Sequence, residues 1–147
     1  MRLRAEQIED VTVIGTCLQG AMCCYGEMAF DSDHLRFAAI MVRYTWEDAA
    51  IKESSPMPLL LRQARTALRI EFVDEARIRG IDLKEENKLL ELVTVSAREF
   101  RGKVQVNLIF SCGGEICLDV TELDVRMEDL DIPVESHVKV SFVNDES

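Results

Sequence analysis

Proline, histidine and the larger aromatics are scarce in this 147-residue chain, which has three prolines, two histidines, one tryptophan and two tyrosines. So few imidazoles leave little material for histidine-based nucleophilic catalysis. His34 falls in an expected hairpin turn and His137 in an acidic C-terminal stretch, and neither has a nucleophile or an orienting carboxylate in its local sequence. Long apolar runs are missing too. Residues 37–42 (FAAIMV) fall far short of the ~20 residues that cross a bilayer, and the start MRLRAEQIED leads into no signal-peptide core. The expectation is a soluble cytoplasmic protein with no membrane partner. There is no glycine-rich phosphate loop after a strand, no H-x-x-x-H pair and no G-x-S-x-G elbow, which closes the motif-based routes to an enzyme.

Positive charge is the other shortage: 17 Lys and Arg stand against 27 Asp and Glu, a net −10. From residue 115 onward ten acids face only Arg126 and Lys139, so −8 of the −10 lies in the last 33 residues. Such a surface repels phosphate backbones at long range, and no basic stripe counters it, so nucleic acid is not an expected partner. Cys17, Cys23, Cys24, Cys112 and Cys117 are an odd number in a chain without a secretory signal, which predicts reduced thiols.

What is present fits one domain over residues 1–147: 48% hydrophobic and 30% charged residues are the make-up of a chain with a single core. Within residues 5–22, Ile8, Val11, Ile14, Leu18 and Met22 recur at spacings of three and four, the stripe of an amphipathic helix. Gly15 and Gly20 each cost that helix roughly 1 kcal/mol of intrinsic propensity, so packing on a sheet must support it. Beyond Gly26 the period changes to that of a hairpin turning at Asp31-Ser32-Asp33-His34. Its long second strand is expected to point Ala38, Ile40, Val42, Tyr44 and Trp46 inward, and apolar residues on its other face as well mark it as central.

Residues 50–60, with Ser54-Ser55-Pro56-Met57-Pro58, read as a flexible loop, and residues 131–147 as an acidic tail. Between residues 66 and 82, Leu68, Ile70 and Phe72 and then Ala76 and Ile78 hold one parity around Asp74. A straight strand from residue 66 to Gly80, where that parity ends, would run about 45 Å at ~3.3 Å per residue, so a bend or bulge is expected near Asp74. Residues 89–97 form a further strand.

In SCGGEICLDV two cysteines flank a glycine pair, and strand parity decides whether they act together. Val104, Val106, Leu108 and Phe110 on one side and Ile116, Leu118 and Val120 on the other put the apolar face on even numbers, so even must oppose even. A Gly113-Gly114 two-residue loop violates this. A three-residue loop, Cys112-Gly113-Gly114, satisfies it and opposes Phe110 to Ile116 and Leu108 to Leu118. Cys112 then sits on the turn and Cys117 on the outer face, so neither a disulfide nor a metal site is expected, and no cofactor.

The segments RLRAEQIEDVTVIGTCLQGAM, GEMAFDSDHLRFAAIMVRYTWED, RTALRIEFVDEARIRGID and GGEICLDVTELDVRMEDLD, from Arg2 to about Asp131, resemble the small bacterial domain-of-unknown-function family numbered 2948. EDVTVI, the GEMAF to LRF hairpin and RGID carry the likeness most specifically, while the cysteines of MCCYG depart from it. The resemblance implies a shared fold and a bacterial source, and carries over no activity and no site residue.

The elements combine into an α+β domain, a leading helix on a curved, mostly antiparallel sheet of about seven strands that curls toward a barrel resembling pleckstrin-homology-like domains. Two functions are weighed. The first is a non-enzymatic protein-interaction module, binding a protein partner at a sheet edge or groove. The second is a binding protein or enzyme for a small anionic ligand, with Trp46, Arg69, Arg77 and Arg79 between the sheet and the Ser54 loop. A homodimer is also expected, because parity switches after Val120 and leaves Leu123, Val125 and Met127, with Ile109, as an apolar row that one helix of about 27 Å does not cover.

Overall fold

In chain order the elements are β1 (Arg2–Ala5), α1 (Ile8–Cys17), β2 (Met22–Cys23), a 3-10 turn (Tyr25–Glu27), β3 (Met28–Asp31), β4 (Arg36–Tyr44), β5 (Leu59–Ile70) and β6 (Val73–Arg79). They continue with β7 (Leu90–Phe100), β8 (Lys103–Phe110), β9 (Glu115–Val120), β10 (Val125–Asp129) and β11 (Val134–Val140). The structure is a computed structural model that describes residues 1–48 and 59–140. Most of the expected 50–60 loop therefore lies outside the described residues. The α+β class with an antiparallel sheet holds, but eleven strands replace about seven and the sheet does not close. Its order is β1-β10-β5-β4-β2-β7-β8-β9-β6, with β11 also on β5 and β3 also on β4. The additional strands include β1 and β2, too short for a period to be counted, and β11, which falls in the stretch whose charge reads as a tail.

The helix is shorter than its apolar stripe. Val11, Ile14 and Leu18 are buried as the spacing requires, but the chain turns away at Gly20, whose φ of 80° suits glycine and whose N–H donates to the Leu92 carbonyl at 2.8 Å. Met22 then belongs to β2, paired with both β4 and β7. Gly15 is more than a propensity cost, because a Cβ there would stand 2.4 Å from the Val95 carbonyl oxygen. The bare backbone lets α1 lie directly on β7. Gly15→Ala should therefore lower stability by about 1–3 kcal/mol through overpacking, despite gaining roughly 1 kcal/mol of helix propensity. Urea unfolding checks this, and a stabilised variant would refute the close contact.

In β4 the expected parity is reversed. Phe37, Ala39, Met41, Arg43 and Thr45 are the buried row, and Ile40 is 38% exposed. The odd row contains Arg43, which is completely buried. Its Nε and Nη2 donate to Asp129 at 2.8 and 2.9 Å, and Nη1 and Nη2 donate to Glu47 at 3.0 and 2.9 Å. Two carboxylates thus replace the water that an arginine loses on burial. The strand is central, as expected, with β5 along one side and β3 and β2 along the other.

The bend near Asp74 is present in two parts. The β6–β9 register shifts between Val73 and Glu75, leaving Asp74 as the extra residue of a bulge. The sharper corner is at Phe72, with φ 58°, which turns the Phe72 side chain outward and gives the inward place to fully buried Val73. The backbone fixes this corner through Glu71 N–H to the Asp124 carbonyl and Thr121 N–H to the Phe72 carbonyl, both 3.0 Å.

In the β8–β9 hairpin even residues oppose even residues, as parity demands, but the register differs by two: Leu108 faces Ile116 and Val106 faces Leu118. The three loop residues are Ser111-Cys112-Gly113, closed by Gly113 N–H to Phe110 at 3.0 Å and Phe110 N–H to Gly114 at 2.9 Å. Gly113 takes the left-handed φ of 91°, while Gly114 is pressed against Gly80 and Ile81, where a Cβ would meet the Ile81 side chain at 2.7 Å. That packing selects the register. All five thiols are free, and burial pushes the Cys23 thiol up to about 12.

One core joins α1 to the inner faces of both halves of the sheet. Val125 and Met127 belong to it, each fully buried. The chain does turn toward new neighbours after Val120, since β10 pairs with β1 and β5 rather than with β8 or β6. The odd row of β10 is therefore interior.

Candidate functional site

The outer face of β1, β10, β5 and β4 collects arginines that are far apart in sequence. In RLRA, alternation puts Arg2 and Arg4 on one face, and the register then aligns Arg4 with Arg126 and Arg126 with Arg69 across three neighbouring strands. Like charges directly opposed across strands repel, so such a row needs counter-charge.

Two buried carboxylates supply it. Asp124 accepts from Arg4 Nε and Nη2, both at 3.1 Å, and from Arg126 Nε and Nη2 at 3.1 and 3.0 Å. The Arg126 bonds, and then those from Arg4, hold the Asp124 carboxyl below the usual carboxylate range against the opposing effect of burial. Glu71 accepts from Arg36 Nε at 3.0 Å through both oxygens. Arg69 Nε stands 2.6 Å from Glu71 Oε2 but off the hydrogen-bond direction, so this buried N–H is left without a good acceptor.

At the rim Arg2 pairs with Glu128 at 2.8 Å and Arg4 touches Glu6 at 3.3 Å. Five guanidiniums thus meet four carboxylates, a local positive excess in a chain of net −10. Between Arg2, Arg4, Ala67, Arg69, Arg126 and Glu128 runs a groove of about 360 Å³. Arg4 and Arg126 each direct two N–H donors at Asp124, which leaves roughly three per guanidinium for other acceptors.

Such an arrangement can bind and orient an anion. Asp31, Glu47, Asp119, Asp124, Asp129 and Asp131 are the described carboxylates with shifted pKa values, and all are lowered, so each favours its ionised form. Among the described residues no group of three or more His, Cys, Asp or Glu side chains could hold a metal ion.

Of the four arginine and tryptophan candidates, only Arg69 lies in this groove. Arg77 is on the other half of the sheet, donating to Asp119 at 2.9 and 3.0 Å and to Cys117 Sγ at 3.2 Å. Arg79 pairs with Glu115. Trp46 follows β4, its indole donating to the Gln19 carbonyl at 2.8 Å and its ring edge-on to Tyr44 at 6.1 Å. The four do not converge. Arg2, Arg4, Arg36 and Arg126 were missed; the alternation in RLRA was visible, but the adjacency of β1, β10 and β5 was not. Of the apolar row, Ile109 and Leu123 are half-buried, and pairing two copies through Val125 and Met127 would require opening the core.

The family model described as Protein of unknown function (DUF2948) matches residues 1–141. No curated protein and no solved structure matches the chain.

Proposed function

We propose, for a chain that belongs to the DUF2948 family of proteins of unknown function, that it is a non-enzymatic binding domain whose arginine groove captures a small or pendant anion, a phosphate or a carboxylate. The observation that carries this is the shared counter-charge: Arg4 and Arg126 converge on Asp124, and Arg36 and Arg69 on Glu71, so each buried carboxylate fixes two guanidiniums and neutralises only one. Prefixed donors bind an anion with less ordering cost than free side chains do. The groove volume lies at the lower end of the roughly 300–1,000 Å³ typical of small-ligand sites. No helix among the described residues is long and apolar enough to cross a membrane, and five free thiols favour a reducing compartment such as the cytoplasm.

Amide chemical-shift titration with inorganic phosphate, pyrophosphate and succinate tests the reading. Shifts should cluster on β1, β10 and β5, and Arg126→Gln should weaken binding about tenfold or more, as expected for a lost charge-assisted bond. Arg79→Gln, outside the groove, should change nothing. Equal affinities in the wild type and Arg126→Gln would sink the groove as the site, provided the variant's remaining shifts show an intact fold.

A further inference from the structure

We propose that the tip of the β7–β8 hairpin is a second binding surface, a dock for an acidic segment of a partner protein, in which Arg98 and Arg101 grip carboxylates. It is independent of the arginine groove and lies on the other half of the sheet.

The first observation is where the arginines are not neutralised. Ten of the twelve arginines of the chain pair with a carboxylate: 2, 4, 36, 43, 62, 65, 69, 77, 79 and 126. Among the described residues Arg98 and Arg101 have no such partner. With ten more acids than bases in the chain, a surface arginine meets a carboxylate by default, and the two exceptions stand side by side at one hairpin tip.

Second, both guanidiniums are held ready. Arg98 lies 5.1 Å and Arg101 5.2 Å from the centre of the Phe100 ring, which is itself 41% exposed. The ring's negative π-face attracts a cation and restrains it without consuming its N–H donors. Arg98 is pinned further by the Gln105 side-chain oxygen, at 3.3 Å from Nε and 3.2 Å from Nη2, and Gln105 is buried.

Third, the turn carries a residue it does not favour. Arg101, with φ 53°, and Gly102, with φ 80°, connect strands in which Phe100 faces Lys103. Two-residue hairpin turns with both central residues left-handed prefer Asn-Gly or Asp-Gly. Arginine at the first position places a cation on the tip where local chemistry would put an amide or an acid.

The shape indicates the class of occupant. A trough of about 480 Å³ runs between Arg77, Phe100, Arg101, Lys103, Gln105 and Asp119, all on one face of β6, β9, β8 and β7 or at their turn. With no element among the described residues packed opposite them, these residues suit an extended chain crossing the strands better than an enclosed small molecule. The exposed ring adds apolar contact that a simple inorganic ion cannot use, and arginine receives carboxylates bidentately. The net charge of −10 weighs against a long polyanion such as nucleic acid, whereas a peptide with a few carboxylates meets less of that field.

Fluorescence anisotropy with a fluorescein-labelled hexaglutamate peptide tests this, with a labelled oligothymidine of equal length in parallel. The whole chain should bind the peptide, and the double variant Arg98→Gln/Arg101→Asn should bind it at least about tenfold more weakly. Asparagine suits the left-handed position, so circular dichroism of this variant should match the wild type. Phe100→Ala should weaken binding too, and because the groove also accepts carboxylates these comparisons are made in an Arg69→Gln/Arg126→Gln background, which should itself still bind the peptide at the tip. The proposal is overturned if the wild type does not bind the peptide, if the double variant binds it equally, if only the groove variants weaken it, or if the oligothymidine binds the tip more tightly.

Discussion

Arg43→Met is expected to destabilise the protein by about 3–5 kcal/mol at neutral pH, a large part of the roughly 5–15 kcal/mol that holds a domain folded. The methionine would fill much of the same space, so the loss is chiefly electrostatic. Asp129 has a side chain only 5% exposed, and without Arg43 its strongest remaining partner is the N-terminal ammonium at 3.1 Å. In the wild type, burial pushes the Asp129 carboxyl up, but the bonds from Arg43 and the terminal ammonium outweigh it and leave the group below its ordinary value. A depressed native pKa contributes stability that is present above the unfolded value and disappears as pH falls through the native one.

Removing Arg43 frees the burial effect and raises the native pKa of Asp129, so the sign reverses: the variant folds best with the carboxyl protonated. The gap between wild type and Arg43→Met should therefore be widest near neutrality and shrink as pH falls toward about 4, near the ordinary carboxylate pKa. Urea unfolding of both proteins across that range measures it. A gap that is constant with pH would mean that Arg43 contributes packing alone.

Val125→Glu should unfold most of the protein at neutral pH, with a loss above about 4 kcal/mol. Val125 is fully buried on β10, opposite Ala5 of β1 and Ile70 of β5, both also completely buried. A carboxylate introduced there has apolar neighbours on both flanking strands. On the exposed row read from the sequence, the same change would have cost within about 0.5 kcal/mol and separated a dimer. Circular dichroism and light scattering distinguish the two: a cooperatively folded variant near the 16.7 kDa monomer mass would place Val125 on the surface.

What local alternation could reveal, the sequence revealed. The helix stripe Val11, Ile14 and Leu18, the even-on-even pairing of β8 with β9, the bulge at Asp74 and the central place of β4 were all legible, because each follows from the period of a single element or of two adjacent ones. The three-residue loop was placed one residue late, since the choice between ending it at Gly113 or at Gly114 depends on Gly80 and Ile81, some thirty residues away.

Long-range pairing decided the rest. The inward face of β4 turned on whether Arg43 would be buried, and that depended on Asp129, which is 86 residues distant in the chain. The groove depended on β1 lying beside β10 and β10 beside β5, which brings Arg4, Arg126 and Arg69 into one row and hides Val125 behind them. Periodicity tells which residues of a strand share a face, and it is silent on which strand comes next. By itself the sequence determined the α+β elements and their local parities; the tertiary structure alone decided which face is interior and which charges meet, because both are set by contacts between segments that no local pattern relates.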